Sequence, residues 1–192
     1  MIDKFVDDEV FEKVNYTKNR LEKGEYDACT FINCDFSNSY VSQIRFINCK
    51  FYDCNLSSAN IADTSFQDVL FKNSKLLGVN FETCSNFGFS IKIDTCQLNH
   101  ASFFQKNLSS MVFTNSKCIG TDFTQSILKK AIFNNCNLQS AIFDATNLED
   151  ANFSKSYNFV IDPEKNNLKG AKFSLATITG LLAKYKIKIS SE

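Results

Sequence analysis

Residues 98–153, cut into fives, read LNHAS FFQKN LSSMV FTNSK CIGTD FTQSI LKKAI FNNCN LQSAI FDATN LEDAN F. The heads of these groups run Leu98, Phe103, Leu108, Phe113, Cys118, Phe123, Leu128, Phe133, Leu138, Phe143, Leu148 and Phe153, an apolar residue at every fifth position for twelve consecutive steps. Two places before each head stands a small or short residue, among them Cys96, Ala101, Thr121, Ala131 and Ala151, with Lys106 and Met111 as misfits. A helix repeats its buried face every 3.6 residues and a strand every 2, so neither sets this period. Two inward and three polar positions in every five describe a chain that turns a corner in each pentad.

The same rule extends towards the N-terminus. Phe11, Tyr16, Leu21, Tyr26, Phe31, Phe36, Val41, Phe46, Phe51, Leu56, Ile61, Phe66, Phe71, Leu76 and Phe81 are all apolar or aromatic. The next head would be Asn86, and the pattern resumes two residues out of phase at Ile93, which marks 84–92 as a register break. Phe87, Phe89 and Ile91 keep this joint apolar, and Gly88 can take a positive φ, so it predicts a bulge, kink or short helical turn between two stacked halves rather than a linker. Asn158 and Pro163 also occupy head positions, where Phe159 and Ile161 are expected to point inwards instead. Residues 1–10 are expected to form a capping arm, with the acidic run Asp7, Asp8, Glu9 as a helical turn or solvated tail.

Composition sharpens this picture. The 192 residues hold 20 Phe, no Trp, one Pro and six Gly, so corners must be built from Asn, Ser, Asp and Thr. Formal net charge is zero, which argues against direct nucleic-acid binding, although residues 1–70 carry 12 acids against 7 bases and the remainder 9 against 14. No signal-peptide-like run opens the chain and no 18 consecutive residues are apolar, so a soluble cytoplasmic protein without membrane association is expected. The eight cysteines fall on inward positions, Cys118 on a head and the other seven on the small position, which suits thiols acting as small hydrophobes. Cys29 with Cys49 and Cys34 with Cys54 lie 20 residues apart and should stack as free thiols in a reducing cytosol. There is no C-x-x-C pair, and the single His100 is on an outward position, so neither a metal site nor a cofactor is expected.

Five-residue periodicity of this kind, with Ala59-Asn60-Ile61 and Ala151-Asn152-Phe153 matching the pattern A-[DN]-[LF]-x-x, resembles the pentapeptide repeat family over about residues 11–178. The resemblance implies an all-β fold, a right-handed quadrilateral β-helix with four pentads per coil. Residues 11–178 then make about eight coils and a rod of roughly 40 Å at ~4.8 Å per strand. Phe103, Phe123 and Phe143 would stack on one side, Phe113, Phe133, Phe153 and Phe173 on the opposite side, and Leu108, Leu128, Leu148 and Leu168 on a third.

Beyond the repeats, residues 179–192 are expected to close the rod. Leu175, Ile178, Leu181, Leu182 and Tyr185 lie at helical spacing, which predicts an amphipathic helix over 175–185, and Tyr185-Lys186-Ile187-Lys188-Ile189 alternates as a strand. This ending is similar to that of the Qnr quinolone-resistance proteins and a related mycobacterial protein. The similarity implies a homodimer through Ile178, Leu181, Leu182, Tyr185, Ile187 and Ile189.

No motif supplies a nucleophile, a general base or a phosphate loop, so an enzyme is not expected and no catalytic residue is assigned. The resemblance implies instead a partner, a type II DNA topoisomerase (DNA gyrase or topoisomerase IV), engaged by a rod that imitates a DNA duplex. Two features depart from that pattern. B-DNA carries one charge per ~1.7 Å, whereas 21 acids here meet 21 bases, and no long loop interrupts the coils. Stacking by twenties places Glu25, Asp27 and Asp68 on one side of the N-terminal half, with Arg45 between them. On another side Ile32, Tyr52 and Leu70 form an outward apolar line, which supports the alternative of a scaffold module for a different protein.

Overall fold

The computed structural model describes residues 4–188 and 190. Its strands are short and all pair in parallel: β1 (Lys4–Asp7), β2 (Val10–Glu12), β3 (Gly24–Asp27), β4 (Thr30–Ile32), β5 (Arg45–Ile47), β6 (Lys50–Tyr52), β7 (Ser65–Gln67), β8 (Val69–Lys72), β9 (Ile91–Asp94), β10 (Val112–Thr114) and β11 (Ile132–Asn134). β1-β3-β5-β7 form one sheet and β2-β4-β6-β8-β9-β10-β11 a second. Isolated bridges such as Ile132↔Asn152 and Asn152↔Lys172 continue the second sheet beyond its last named strand. Pairing Phe31 with Phe51 and Phe113 with Phe133 fixes the regular coil at 20 residues. The result is a parallel β-solenoid with four sides, one pentad to each.

Side chains explain why the coil closes. The heads from Tyr16 to Phe153 point inwards, and aromatic heads stack on their equivalents one coil away: Phe31 on Phe51 at 4.7 Å between ring centroids, Phe113 on Phe133 at 4.7 Å, Phe81 on Phe103 at 4.6 Å. Rings from adjacent sides meet edge to face, as Phe113 does with Phe123 at 86°, the arrangement aromatic quadrupoles favour. The small position does more than leave room. Its hydroxyls and thiols donate to the carbonyl 23 residues earlier, as in Cys54 to Phe31, Thr64 to Val41, Ser74 to Phe51, Thr121 to Leu98 and Ser156 to Phe133. Where the residue here can donate it ties one coil to the next, which is why Ser, Thr and Cys recur beside Ala.

Corners carry the other half of the rule. Two places after the head the backbone is left-handed, at Asn33, Asn48, Asp53, Asp63, Asn73, Asn115 and Asn135 among many, residues that tolerate this region best after glycine. One place before the head, Asn or Asp accepts from the amide two residues on, as at Asp35, Asn55, Asn107 and Asn152. Asn, Asp and Ser thus build the corners as composition indicated.

The joint combines a 3-10 turn, Phe81–Thr83, with a bulge through which the coil lengthens. Val69 pairs with Ile91 and Phe71 with Ile93, an offset of 22. Two extra residues keep the inward and outward alternation of a strand, where one extra would invert it. Gly88 adopts φ +64°, and Phe159 and Ile161 are buried in place of Asn158 and Pro163.

Both ends differ from expectation. Lys4–Asp7 is a strand paired with β3, not a helical turn or solvated tail, so stacking starts before Phe11. Gly24 makes this approach possible, because a Cβ there would run into the carbonyl of Lys4. At the other end 175–185 is not one amphipathic helix but two 3-10 turns, Ile178–Leu181 and Ala183–Tyr185, closed by left-handed Lys186. β-Branched Thr177, Ile178 and Thr179 disfavour a helix, and Gly180 lies against the Phe159 carbonyl. Residues 185–188 join no strand, and Ile189 lies outside the described residues.

Candidate functional site

Outward residues run in columns along each of the four sides of the rod, so a site here is a choice of side. The side whose heads are Tyr26, Phe46, Phe66, Leu108 and Leu128 carries Glu25, Asp27 and Asp68. The structure places them together but not as a negative patch. Arg45 pairs with Glu25 in register and binds its carboxylate at 2.7 Å. Asp27 accepts from the Asn48 amide at 3.0 Å, and Asp68, at a corner, from the Ser90 hydroxyl at 3.2 Å.

A different side concentrates negative charge. Its heads are Ile61, Phe81, Phe103, Phe123 and Phe143, and from Asn60 to Glu164 its outward residues include Asp63, Glu82, Asp122, Asp144, Asp162 and Glu164 with no lysine or arginine among them. Asn80, Ser102, Asp122 and Ile142 bridge in sequence along it. Asp144 is met by Lys165 at 3.5 Å, and Asp162 and Glu164 by Lys184 of the cap at 2.7 and 2.6 Å. Asp63, Glu82 and Asp122 have no cationic partner among the described residues; Glu82 instead accepts from Asn80 and Ser102, and Asp122 from the Thr124 amide. Sequence reasoning missed this side because stacking by twenties loses its alignment at the joint, where the offset becomes 22.

Opposite that acidic side lies the seven-stranded sheet. Ile32 and Tyr52 are neighbours in β4 and β6, while Leu70 belongs to the parallel column one step across, above Lys50. All three are half-buried. The expected dimer residues surround the end of the rod: Ile178, Tyr185 and Ile187 are exposed, Leu181 and Leu182 half-buried, and Leu175 is 90% exposed. Tyr185 donates to Glu164 at 2.9 Å.

The interior offers no reactive thiol at the sites where titration is clearly perturbed upwards. Burial pushes the Cys49 thiol up to about 12 and those of Cys84 and Cys96 up to about 11, which keeps them protonated as hydrogen-bond donors. Lys106, the sequence misfit, is 1% exposed, and its ammonium donates to the Cys84 carbonyl at 2.5 Å and to Asn86 Oδ1 at 2.7 Å beneath the Phe89 ring. Among the described residues no three His, Cys, Asp or Glu side chains converge as a metal would require, and no helix is long and apolar enough to cross a membrane.

Similarity to known proteins follows the same geometry. No curated protein matches the chain by sequence. Two trypsin-treated variants of QnrB1, a plasmid-mediated fluoroquinolone resistance protein, share the fold: one with TM-score 0.63 at 19% identity over 97% of this chain and 100% of that one, the other with 0.54 at 17% over 97% and 99%. A profile of a pentapeptide repeat region matches residues 25–103, and one of pentapeptide repeats in eight copies matches 96–129 and 131–159. With its coils, corners and stacked heads all obeying that rule, the chain belongs to the pentapeptide repeat family.

Proposed function

We propose that this protein is a non-enzymatic, cytoplasmic binding rod that engages a type II DNA topoisomerase, DNA gyrase or topoisomerase IV, in place of duplex DNA and so alters its activity or its sensitivity to quinolones. The observation that carries this reading is the side holding Asp63, Glu82 and Asp122, three carboxylates with no cationic partner among the described residues and no base in their columns from Asn60 until Lys165. A groove built to receive phosphates presents lysines and arginines, and such a surface complements a straight acidic stripe on a rigid rod. The fold shared with a fluoroquinolone resistance protein supports the choice of partner. Two rods join end to end in this reading, through Ile178, Leu181, Leu182, Tyr185 and Ile187, because an exposed apolar end is more stable when covered.

Supercoiling by gyrase, titrated with the protein in the presence and absence of a fluoroquinolone, tests the proposal. Inhibition or rescue should appear at micromolar protein and be lost in the double variant Glu82→Lys, Asp122→Lys. No effect of the wild-type protein on either enzyme sinks the reading. For assembly, Leu182→Asp should give monomers by light scattering, and an unchanged dimer mass would exclude the cap as the interface.

A further inference from the structure

The side opposite the acidic stripe has its own chemistry. Its outer surface is two columns wide. One runs Val10, Thr30, Lys50, Leu70, Lys92, and on through Val112, Ile132, Asn152 and Lys172. The other runs Glu12, Ile32, Tyr52, Lys72 and Asp94. Apolar side chains are neighbours here: Val112 is 40% and Ile132 39% exposed, and they pair directly. Elsewhere on the rod exposed isoleucines stand alone, Ile127 between Asn107 and Asn147 and Ile142 beside Asp122. At the joint a groove of about 500 Å³ opens beside this column between Ser90–Asp94 and Ser109–Val112, faced by Lys92, Asp94, Ser109 and Val112 with Ile91, Ile93 and Met111 buried beneath.

Charge accompanies the apolar strip. Lys72 is held by Asp94 at 3.3 Å, but Lys50, Lys92, Lys155 and Lys172 meet no carboxylate within ion-pair distance among the described residues. From these observations we propose that the seven-stranded side is a second interaction surface, whose occupant is an acidic amphipathic helix of a partner protein lying along the rod.

Spacing selects a helix. Successive rungs are ~4.8 Å apart, so Leu70 and Val112 lie two rungs or about 10 Å apart, close to the ~10.5 Å between helix positions i and i+7. A helix on this column therefore sets apolar positions i and i+7 over Leu70 and Val112, with a carboxylate near i+3 or i+4 reaching Lys92 midway between them and one before the stripe reaching Lys50. An added strand is ruled out along this side, since each inner strand of the sheet is already paired on both edges. Free lysines that are interleaved with valine, isoleucine and leucine suit a carboxylate-bearing apolar stripe better than a uniformly charged duplex.

The proposal is independent of topoisomerase binding. Its test is fluorescence anisotropy with a labelled synthetic helix, leucines at heptad spacing flanked by glutamates, titrated with the full-length protein. Saturable binding is expected. Lys50→Glu with Lys92→Glu should weaken it by about tenfold or more, and Val112→Asp should weaken it in salt that screens the charges. The variant Glu82→Lys, Asp122→Lys, on the opposite side, should leave it unchanged, which separates failure of this surface from failure of the acidic one. Circular dichroism of each variant checks that the exposed substitutions leave the fold intact. Absence of saturable binding overturns the proposal, as does binding indifferent to Lys50, Lys92 and Val112. Preferential capture of duplex DNA or phosphatidylserine vesicles by the same lysines also overturns it.

Discussion

Between Leu98 and Phe153 each coil uses 20 residues, whereas the coil leading from Phe71 to Ile93 uses 22. The regular region holds its coils together with short donors: Thr121, Cys136 and Ser156 each reach back 23 residues to a carbonyl. Next to the wider coil the same link stretches, with Cys96 donating to Phe71, 25 residues back. The two residues that break the small-position rule between Leu98 and Phe153, Lys106 and Met111, both face this joint. Lys106 extends its four-carbon stem to the Cys84 carbonyl and Asn86, which a serine could not reach, and Met111 borders the same groove as Phe89 and Ser90. An irregularity in one coil is thus answered in the following one by longer side chains, and apparent misfits in the sequence are the compensation.

This contrast can be broken at several points. The largest effect is expected in the regular stack, where Phe123→Ala removes a fully buried ring lying between Phe103 and Phe143 and should cost about 3–5 kcal/mol by denaturant titration. Phe89→Ala at the joint, where the ring is half-buried, should cost less than half of that. Next comes Lys106→Ser, which restores the repeat in sequence yet leaves the buried Cys84 carbonyl without its donor, for a loss of about 1–3 kcal/mol. Deleting Phe87 and Gly88 should suppress much of that loss, since a 20-residue coil brings the carbonyl back within reach of a short donor. Additivity of the deletion and Lys106→Ser in a double-mutant cycle would show that the lysine does not answer the insertion.

A smaller change is expected from Gly88→Ala. At φ +64° it should destabilise by about 1 kcal/mol, because the added Cβ also approaches the Gln67 side chain at 3.1 Å. The smallest concerns the cap. Hydrogen bonds from Lys184 hold the Asp162 and Glu164 carboxyls below their usual range. Their contribution is therefore fully present above the ordinary carboxylate pKa and is lost as pH falls through the depressed one. Amide exchange around Gly180 and Leu182 should quicken in acid while the regular coils keep their protection, and equal loss in both would refute a separately fastened cap.

Much of the rod was legible in the sequence because its rule is local. Head, small position and corner each recur within five residues, and inward placement follows from parity alone. The joint was legible as a phase shift, and Phe159 and Ile161 as replacements for Asn158 and Pro163. What escaped depends on neighbours distant in the chain. Lys4–Asp7 carries a single head, Val6, five before Phe11, which is too short a run to be read as a strand; it is one because Gly24 allows its backbone to approach. The cap has helical apolar spacing, but packing of Gly180 on Phe159 imposes 3-10 turns. The grouping of Glu25, Asp27 and Asp68 could be read, whereas the capture of Glu25 by Arg45 required side-chain geometry. The acidic side was hidden because its columns cross the joint, and a reading in steps of twenty assigns residues beyond it to the wrong place.

The coil height also makes the rod a ruler with one graduation. Outward groups in any column are spaced at ~4.8 Å, while phosphates along one strand of B-DNA rise ~3.4 Å each. Like the two scales of a vernier, these fall into step only about every five coils, near 24 Å. A protein that holds this rod in a channel shaped for duplex would meet its charges in step only at those coincidences. A few carboxylates set the correct number of coils apart, and not a high density of them, would then decide how firmly the rod is held.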